Sequence, residues 1–221
     1  MLLPPHERIV VIRRSPPSPR SRRSPPRTAA SSVRIIAGRW RGTRLPIVTA
    51  PGLRPTADRI RETLFNWLLG ECEQSRCLDL FAGSGALGFE ALSRGASHCD
   101  LVELQPAAAA QLRANQQQLA AEATIFCCSA EQFLADPPAP TAAGGYQLVF
   151  LDPPFAEQLL PTIAEQLERS TLLAAQCWLY VELAAEQPFA APPSWSLHRQ
   201  RNSGGVSYRL YRRVADRATI A

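Results

Sequence analysis

Residues Cys77-Leu-Asp-Leu-Phe-Ala-Gly-Ser-Gly-Ala-Leu-Gly88 constrain the fold of this chain more than any other stretch. An apolar run from Cys77 to Phe81 is broken only by Asp79, and glycines follow at 83, 85 and 88. A buried strand that enters a glycine-rich turn and then a helix is the opening of a nucleotide-binding βαβ unit. Glycine permits the tight turn and lets a ligand approach the main chain with no Cβ in the way. The helix that begins near Ala86 aims its free N–H groups at whatever lies on that turn.

Gly83-x-Gly85-x-x-Gly88 also fits a dinucleotide fingerprint, and two acids separate the alternatives. Asp79 lies inside the strand, where a carboxylate is costly without partners. It would repel a pyrophosphate seated on the helix N-terminus. It suits S-adenosylmethionine, whose sulfonium and ammonium groups are cationic. Glu103, near the end of the apolar run Cys99–Leu104, is placed to accept hydrogen bonds from ribose hydroxyls. An α/β domain with a purely structural glycine turn is the plain alternative.

Strands and helices alternate beyond the turn. The pattern predicts helix Leu87–Arg94, strand Cys99–Leu104, helix Pro106–Leu119, strand Thr124–Cys128, a short helix from Ala130, strand Tyr146–Leu151, helix Glu157–Arg169 and strand Cys177–Leu183. Trp195–Arg201 and Val206–Arg212 flank Asn202-Ser-Gly-Gly205 as a hairpin. This order predicts an α/β fold with a doubly wound, mostly parallel sheet and a C-terminal antiparallel hairpin. Ahead of it, Val33–Ala37 and Thr43–Val48 predict a hairpin with Gly38-Arg-Trp-Arg-Gly42 at its tip. A helix capped by Thr56 follows, with Asp58 in its first turn and Ile60, Leu64, Trp67 and Leu68 as its apolar face. The expected organisation is a tail (1–32), an N-terminal extension (33–70), the main domain (71–214) and a short tail (215–221).

Charge divides the chain as sharply as the pattern does. Residues 1–61 hold fourteen Arg against Glu7 and Asp58, whereas the rest holds ten Arg against seventeen acids. A basic front on an acidic body suits a polyanionic partner. Arg39, Arg41 and Arg44 around Trp40 combine phosphate contact with a surface for base stacking. Arg59, Arg61 and Glu62 lie off the apolar stripe, and Arg54, Arg59 and Arg61 could line a groove. A solvated hairpin and an ordinary charged helix face are the bland alternatives. Residues 12–32 are rich in Pro, Ser and Arg and cannot build a core. They suit an RNA-attracting tail, an overlong start-codon assignment or a transit peptide. The six cysteines and three histidines show no metal-ligand spacing, and no apolar run approaches the ~18 residues of a membrane helix. A reduced, cytoplasmic, metal-free monomer is expected.

Val149-Phe-Leu-Asp-Pro-Pro-Phe155 is the second motif. Two prolines directly after a buried strand form a rigid turn without N–H donors. They would hold the Asp152 carboxylate and the Pro153 carbonyl as fixed acceptors at the carboxyl end of the sheet. A purine exocyclic amine is a weak nucleophile because its lone pair is delocalised into the ring. Two acceptors on its N–H bonds favour the pyramidal geometry that frees that pair, and Phe155 can stack on the base. A solvent-facing turn is the alternative, and suits Asp136-Pro-Pro138.

These two motifs together resemble the amino-methyltransferases of purine exocyclic nitrogens. Arg34-Ile-Ile-Ala-Gly-Arg-Trp-Arg-Gly42, Gly52-Leu-Arg-Pro-Thr-Ala-Asp-Arg-Ile-Arg-Glu-Thr-Leu-Phe-Asn66 and the ending Ser196-Leu-His-Arg with Tyr208-Arg-Leu-Tyr211 resemble, more narrowly, the RsmD family of bacterial 16S rRNA guanine-N2 methyltransferases. The likeness runs from about Arg34 to Arg213. It implies a class I S-adenosylmethionine-dependent methyltransferase with an RNA-contacting extension, acting on 16S ribosomal RNA in a small-subunit particle. It further implies Phe81, Gly83 and Gly85 along the methionine and ribose, Glu103 on the ribose hydroxyls, and Ala130 and Glu131 at the adenine. Asp79 and Asp152 would border the cofactor; Asp152, Pro153, Pro154 and Phe155 would hold the target base. Arg34, Arg39, Trp40, Arg41, Arg44, Arg54, Thr56, Arg59 and Arg61 would contact RNA. Gln105-Pro106 departs from the acid-then-base pair usual after the ribose-binding acid. Rival readings are an adenine-N6 methyltransferase, a protein glutamine methyltransferase and a non-catalytic RNA-binding factor.

Overall fold

The computed structural model describes residues 32–48, 58–137, 144–155 and 158–214. A hairpin of β1 (Ser32–Arg34) and β2 (Arg44–Pro46) leads to α1 (Asp58–Trp67). Then β3 (Arg76–Asp79), α2 (Ala86–Ser93), β4 (His98–Val102), α3 (Pro106–Leu119), β5 (Ala123–Phe126), α4 (Ala130–Ala135), β6 (Tyr146–Leu151), α5 (Leu160–Arg169) and β7 (Leu173–Ala184) follow in turn. The chain closes on β8 (Trp195–Ser203) and β9 (Val206–Val214).

Seven strands form one sheet in the order β5-β4-β3-β6-β7-β9-β8. The pairs from β5 through β7 are parallel, and β9 runs antiparallel between β7 and β8. This is the doubly wound sheet with a terminal antiparallel hairpin that the motif order predicts. β3 has β4 on one side and β6 on the other, so the winding reverses between β3 and β6. Open α/β sheets bind ligands outside the carboxyl ends of their strands at such a switch point.

Burial follows from the strand sequences. Leu148 to Leu151 of β6 are wholly buried, as a parallel strand covered on both faces requires. On one face Phe65 of α1, Phe89 of α2, Phe150 and Tyr180 share an apolar layer. On the other, Phe133, Ile163, Leu167 and Trp195 do the same. The N-terminal extension is part of the first layer through Val33, Ile35 and Leu45.

Most boundaries differ from the sequence expectation by a few residues. β7 begins at Leu173 rather than Cys177, because a register shift between Tyr146 and Leu148 lets its first residues pair. α5 starts at Leu160, with Pro161 in its first turn. The expected tail 1–32, apart from Ser32, which opens β1, the tail 215–221 and the cap at Thr56 lie outside the described residues.

The extension is clamped to α2. Glu90 is fully buried; its Oε2 accepts the Ile36 N–H (2.8 Å) and its Oε1 the Ala37 N–H (3.0 Å) and Arg94 Nε (2.8 Å). One turn on, Ser93 accepts the Arg39 N–H at its carbonyl (2.7 Å) and the Trp40 N–H at its hydroxyl (3.0 Å). Gly38 crosses so close that a Cβ there would stand 1.8 Å from the Ser93 carbonyl, at a φ of +80°.

One expected RNA contact is corrected here. Arg61 does not line a groove; it is wholly buried on the packed face of α1, between Leu64 and Phe65 and the hairpin. Its Nη2 donates to the Arg34 carbonyl (2.9 Å) and to Asp58 (2.6 Å), and its Nη1 lies 3.6 Å from Glu90. Nη2 thus has a carbonyl and a carboxylate as acceptors, whereas Nε and Nη1 are buried with no hydrogen-bond acceptor among the described residues and Nη1 has only the Glu90 charge beside it.

Replacing Glu90 by Ala leaves the Ile36 and Ala37 amides without their acceptor and removes the buried counter-charge beside Arg61 Nη1. The loss is expected to be about 3–5 kcal/mol, read as a lower urea midpoint. Glu90→Gln should recover part of it.

Candidate active site

β3 delivers Asp79 to the carboxyl edge of the sheet, where the following turn is stitched to both neighbours. The Leu80 N–H donates to the Phe150 carbonyl (3.2 Å) and the Ala82 N–H to Val102 (2.9 Å). Gly85 precedes α2 with a φ of +75°. A Cβ there would meet Phe89 at 2.6 Å and Leu112 at 2.7 Å, so this second glycine of the motif is required by packing as well as by backbone shape.

Asp79 is almost fully buried. Its Oδ2 accepts the Gly88 N–H (3.1 Å), one of the free amides in the first turn of α2. Its Oδ1 is buried and accepts no hydrogen bond among the described residues. Burial pushes this carboxyl up to about 7, and the charges of Asp152 and Glu103 push the same way against the pull of the Gly88 and Phe81 amides. The unsatisfied oxygen and the raised ionisation both fit a cationic group placed beside it.

Glu103 stands at the tip of β4, mostly buried. Oε2 accepts the Gly83 N–H (2.8 Å) and Oε1 the Gln105 N–H (2.7 Å). One amide on each oxygen fixes the carboxylate and leaves a lone pair on each for a vicinal diol. Gln105 thus serves through its backbone, whatever its side chain. Past β5, Ser129 and Gln132 form a reciprocal capping box that sets Ala130, buried, and Glu131, half-buried, at the start of α4.

β6 sits beside β3 with Phe150 opposite Asp79, so Asp152 emerges at the same edge. Asp152 is half-buried, Pro153 buried, and Pro154 and Phe155 exposed. Asp79, Gly83, Glu103 and Asp152 therefore share one end of the sheet, across the switch point. These groups could hold an adenosyl ligand that carries a positive charge near Asp79 and its ribose at Glu103.

Sequence reasoning missed two neighbours. Leu151 pairs with Val181, which sets buried Glu182 next to Asp152; the Tyr180 hydroxyl donates to Glu182 Oε1 (2.7 Å). An acid ending an apolar strand, the pattern that picked out Glu103, was also present in Tyr180-Val-Glu182. A hollow of about 340 Å³ between Gln74, Gln147, Gln176 and Trp178 lies at the opposite, amino end of the strands, away from these carboxylates.

Among the described residues, the arginines of the extension are exposed, except Arg61. Arg34 and Arg44 are directly opposite in the hairpin ladder, both exposed, and Arg34 lies 3.6 Å from Asp58. Arg39, Arg41 and Arg59 are exposed. Trp40 is half-buried against the core, with the Arg39 guanidinium 4.8 Å from its ring; much of the ring is engaged in packing rather than open for stacking. Arg54 and Thr56 lie outside the described residues.

A family model described as conserved hypothetical protein 95 matches residues 33–212. Ribosomal RNA small subunit methyltransferase D of Escherichia coli (strain K12) is 45% identical over 195 residues, 87% of this chain and 96% of that protein. The chain belongs to the RsmD family. The Haemophilus influenzae member is 44% identical over 186 residues, 83% of this chain and 95% of its own. The solved structure of Escherichia coli yhhF superposes with a TM-score of 0.75 at 42% identity, covering 84% of this chain and all of the other.

Asp79 is ionised above pH 7 and neutral below it, and the ionised form is the one that attracts a cation. S-adenosylmethionine affinity is therefore expected to rise with pH through about 7 and level off above, with proton release on binding near neutrality. Calorimetry in buffers of different ionisation enthalpy reads this; Asp79→Asn should remove the proton release.

Proposed function

We propose that this chain transfers a methyl group from S-adenosylmethionine to the exocyclic N2 of a guanine in 16S ribosomal RNA, presented on a small-subunit particle. The observation that carries the reading is Asp152 on its two prolines, at the same sheet edge as Asp79 and Glu103. Family membership supports an rRNA methyltransferase; the purine amine as target rests on the Asp-Pro-Pro-Phe turn.

Bound S-adenosylmethionine supplies an electrophilic methyl on a cationic sulfur. Asp79 balances that ligand's positive charge, Glu103 holds its ribose hydroxyls, and Phe81, Gly83 and Gly85 line the path between. Ala130 and Glu131 border the adenine. The Asp152 carboxylate and the Pro153 carbonyl accept the two N–H bonds of the guanine amine and aim its lone pair along the S–CH3 axis. Pro153 and Pro154, without N–H groups and with fixed φ, keep those acceptors from drifting. Phe155, exposed on the rim, stacks on the extruded base. As the N–C bond forms the C–S bond breaks, and the amine, now cationic, gives its proton to Asp152 or to water. Positioning supplies most of the acceleration.

The extension grips phosphates. Like charges directly opposed in a ladder, as at Arg34 and Arg44, destabilise a hairpin; a phosphate between them turns the repulsion into binding. Arg39, Arg41 and Arg59 extend that surface, and phosphate contacts of this kind orient RNA without reading its sequence.

Nucleoside mass spectrometry of small-subunit RNA treated with the enzyme should show N2-methylguanosine. Asp152→Ala should lower the yield at least about 100-fold with little change in RNA affinity; N6-methyladenosine as the product would refute the guanine assignment. Removing two phosphate contacts with Arg39→Ala and Arg41→Ala should flatten the salt dependence of RNA binding by roughly 1.4 to 1.8 in log–log slope. An unaltered slope would exclude the hairpin from the contact.

A further inference from the structure

We infer that the outer edge strand β8 is a second RNA-docking surface, through Arg199 and Arg201. The inference rests on the ribosomal RNA reading above and concerns a part of the molecule that reading does not use.

Charge marks the strand first. Residues 187–214 contain five arginines and no acid, within a body that is otherwise acidic. Three of the five are engaged internally: Arg213 with Glu168 (2.8 Å), Arg209 with the Ser207 hydroxyl (3.3 Å) and Arg212 against the Trp178 ring (5.5 Å). Arg199 and Arg201 are exposed, and their side chains make no hydrogen bond or ion pair among the described residues. Every residue of β8 after Trp195 is exposed.

Register then fixes where these two guanidiniums stand. Arg201 is opposite Tyr208, and Tyr208 is opposite Glu182, the neighbour of Asp152. Three strand spacings of about 4.8 Å separate β8 from β6, so Arg201 lies abreast of Asp152 at roughly 14 Å. That is about four stacked nucleotides at 3.4 Å each. Opposed residues of an antiparallel pair share a face, and Tyr208 stacks on Trp67 of α1 at 5.4 Å. Arg199 and Arg201 therefore stand on the face that carries the N-terminal extension. The β8–β9 turn at Gly204 and Gly205 opens at the catalytic edge, since Ser203 and Ala184 both pair with Val206.

A strand-adding protein partner fits this edge poorly. The ladder slips between Leu197 and Arg199, and an irregular, charged edge resists further strand pairing. Edge protection, however, needs only charge of either sign, whereas a phosphate needs positive charge. That difference supplies the test.

In Arg199→Glu with Arg201→Glu the edge stays charged. Its affinity for a small-subunit rRNA transcript, and for small subunits lacking the modification, should fall at least about tenfold at ~0.1 M salt, with a shallower salt slope. Arg199→Lys with Arg201→Lys should bind nearly as the parent does, and calorimetric donor affinity should show both variants folded. RNA binding by the Glu variant equal to the parent's, or a loss with no change in slope, overturns the inference and leaves these arginines as edge protection. A loss on particles alone, with transcript binding intact, also overturns it and assigns the edge to a ribosomal protein. A parent chain that binds and methylates neither substrate breaks the underlying reading instead.

Discussion

The carboxylate of Glu90 joins the two parts of this molecule. It sits in the middle of α2, the helix that starts on the glycine turn, and takes the backbone of the N-terminal hairpin on one side and Arg61 of α1 on the other. A buried charge is tolerated only when its partners surround it, so the interaction is all or nothing: the hairpin cannot tilt a little without stranding donors. The basic extension and the carboxylate edge therefore behave as one rigid body, and what the hairpin grasps is held at a set distance from Asp152.

Two opposed electrostatic demands meet at that edge. Asp79, Glu103, Asp152 and Glu182 converge at the carboxyl ends of four neighbouring strands, and the rise in the Asp79 ionisation reflects burial first and then repulsion from Asp152 and Glu103. Such a cluster attracts a cation and repels a polyanion. The outward arginines offset the second effect, and their placement on the extension and on β8 brackets the acids rather than mixing with them. A charged donor and a phosphate backbone can thus approach the same small region without competing for the same groups.

Much of this was legible in the chain. β6 and α3 fall on the residues their patterns predict, because a short apolar run bounded by polar residues and a Pro-initiated helix are local signals. The glycine turn and the Asp-Pro-Pro motif were readable because each carries its backbone geometry in its own residue types. Arg61 was not: its bond to Asp58 is local, but the Arg34 carbonyl and the Glu90 carboxylate that meet it inside lie 27 and 29 residues away in sequence. Glu90 showed one overlooked sign, an acid within the otherwise apolar Phe89-Glu-Ala-Leu92. The early start of β7 depended on a register slip in its partner, which no pattern within β7 itself can express.

The meeting of Gly38 with Ser93 has a further meaning. Gly38, at the root of the tip, is pressed against α2 with no room for a single added methyl group, while the side chains of Arg39 and Arg41 beyond it are exposed. Variation is forbidden at the root and free at the crown. A lineage, or an engineer, could retune which fold of nucleic acid is grasped by exchanging the two exposed arginines, and the chemistry beneath would not notice.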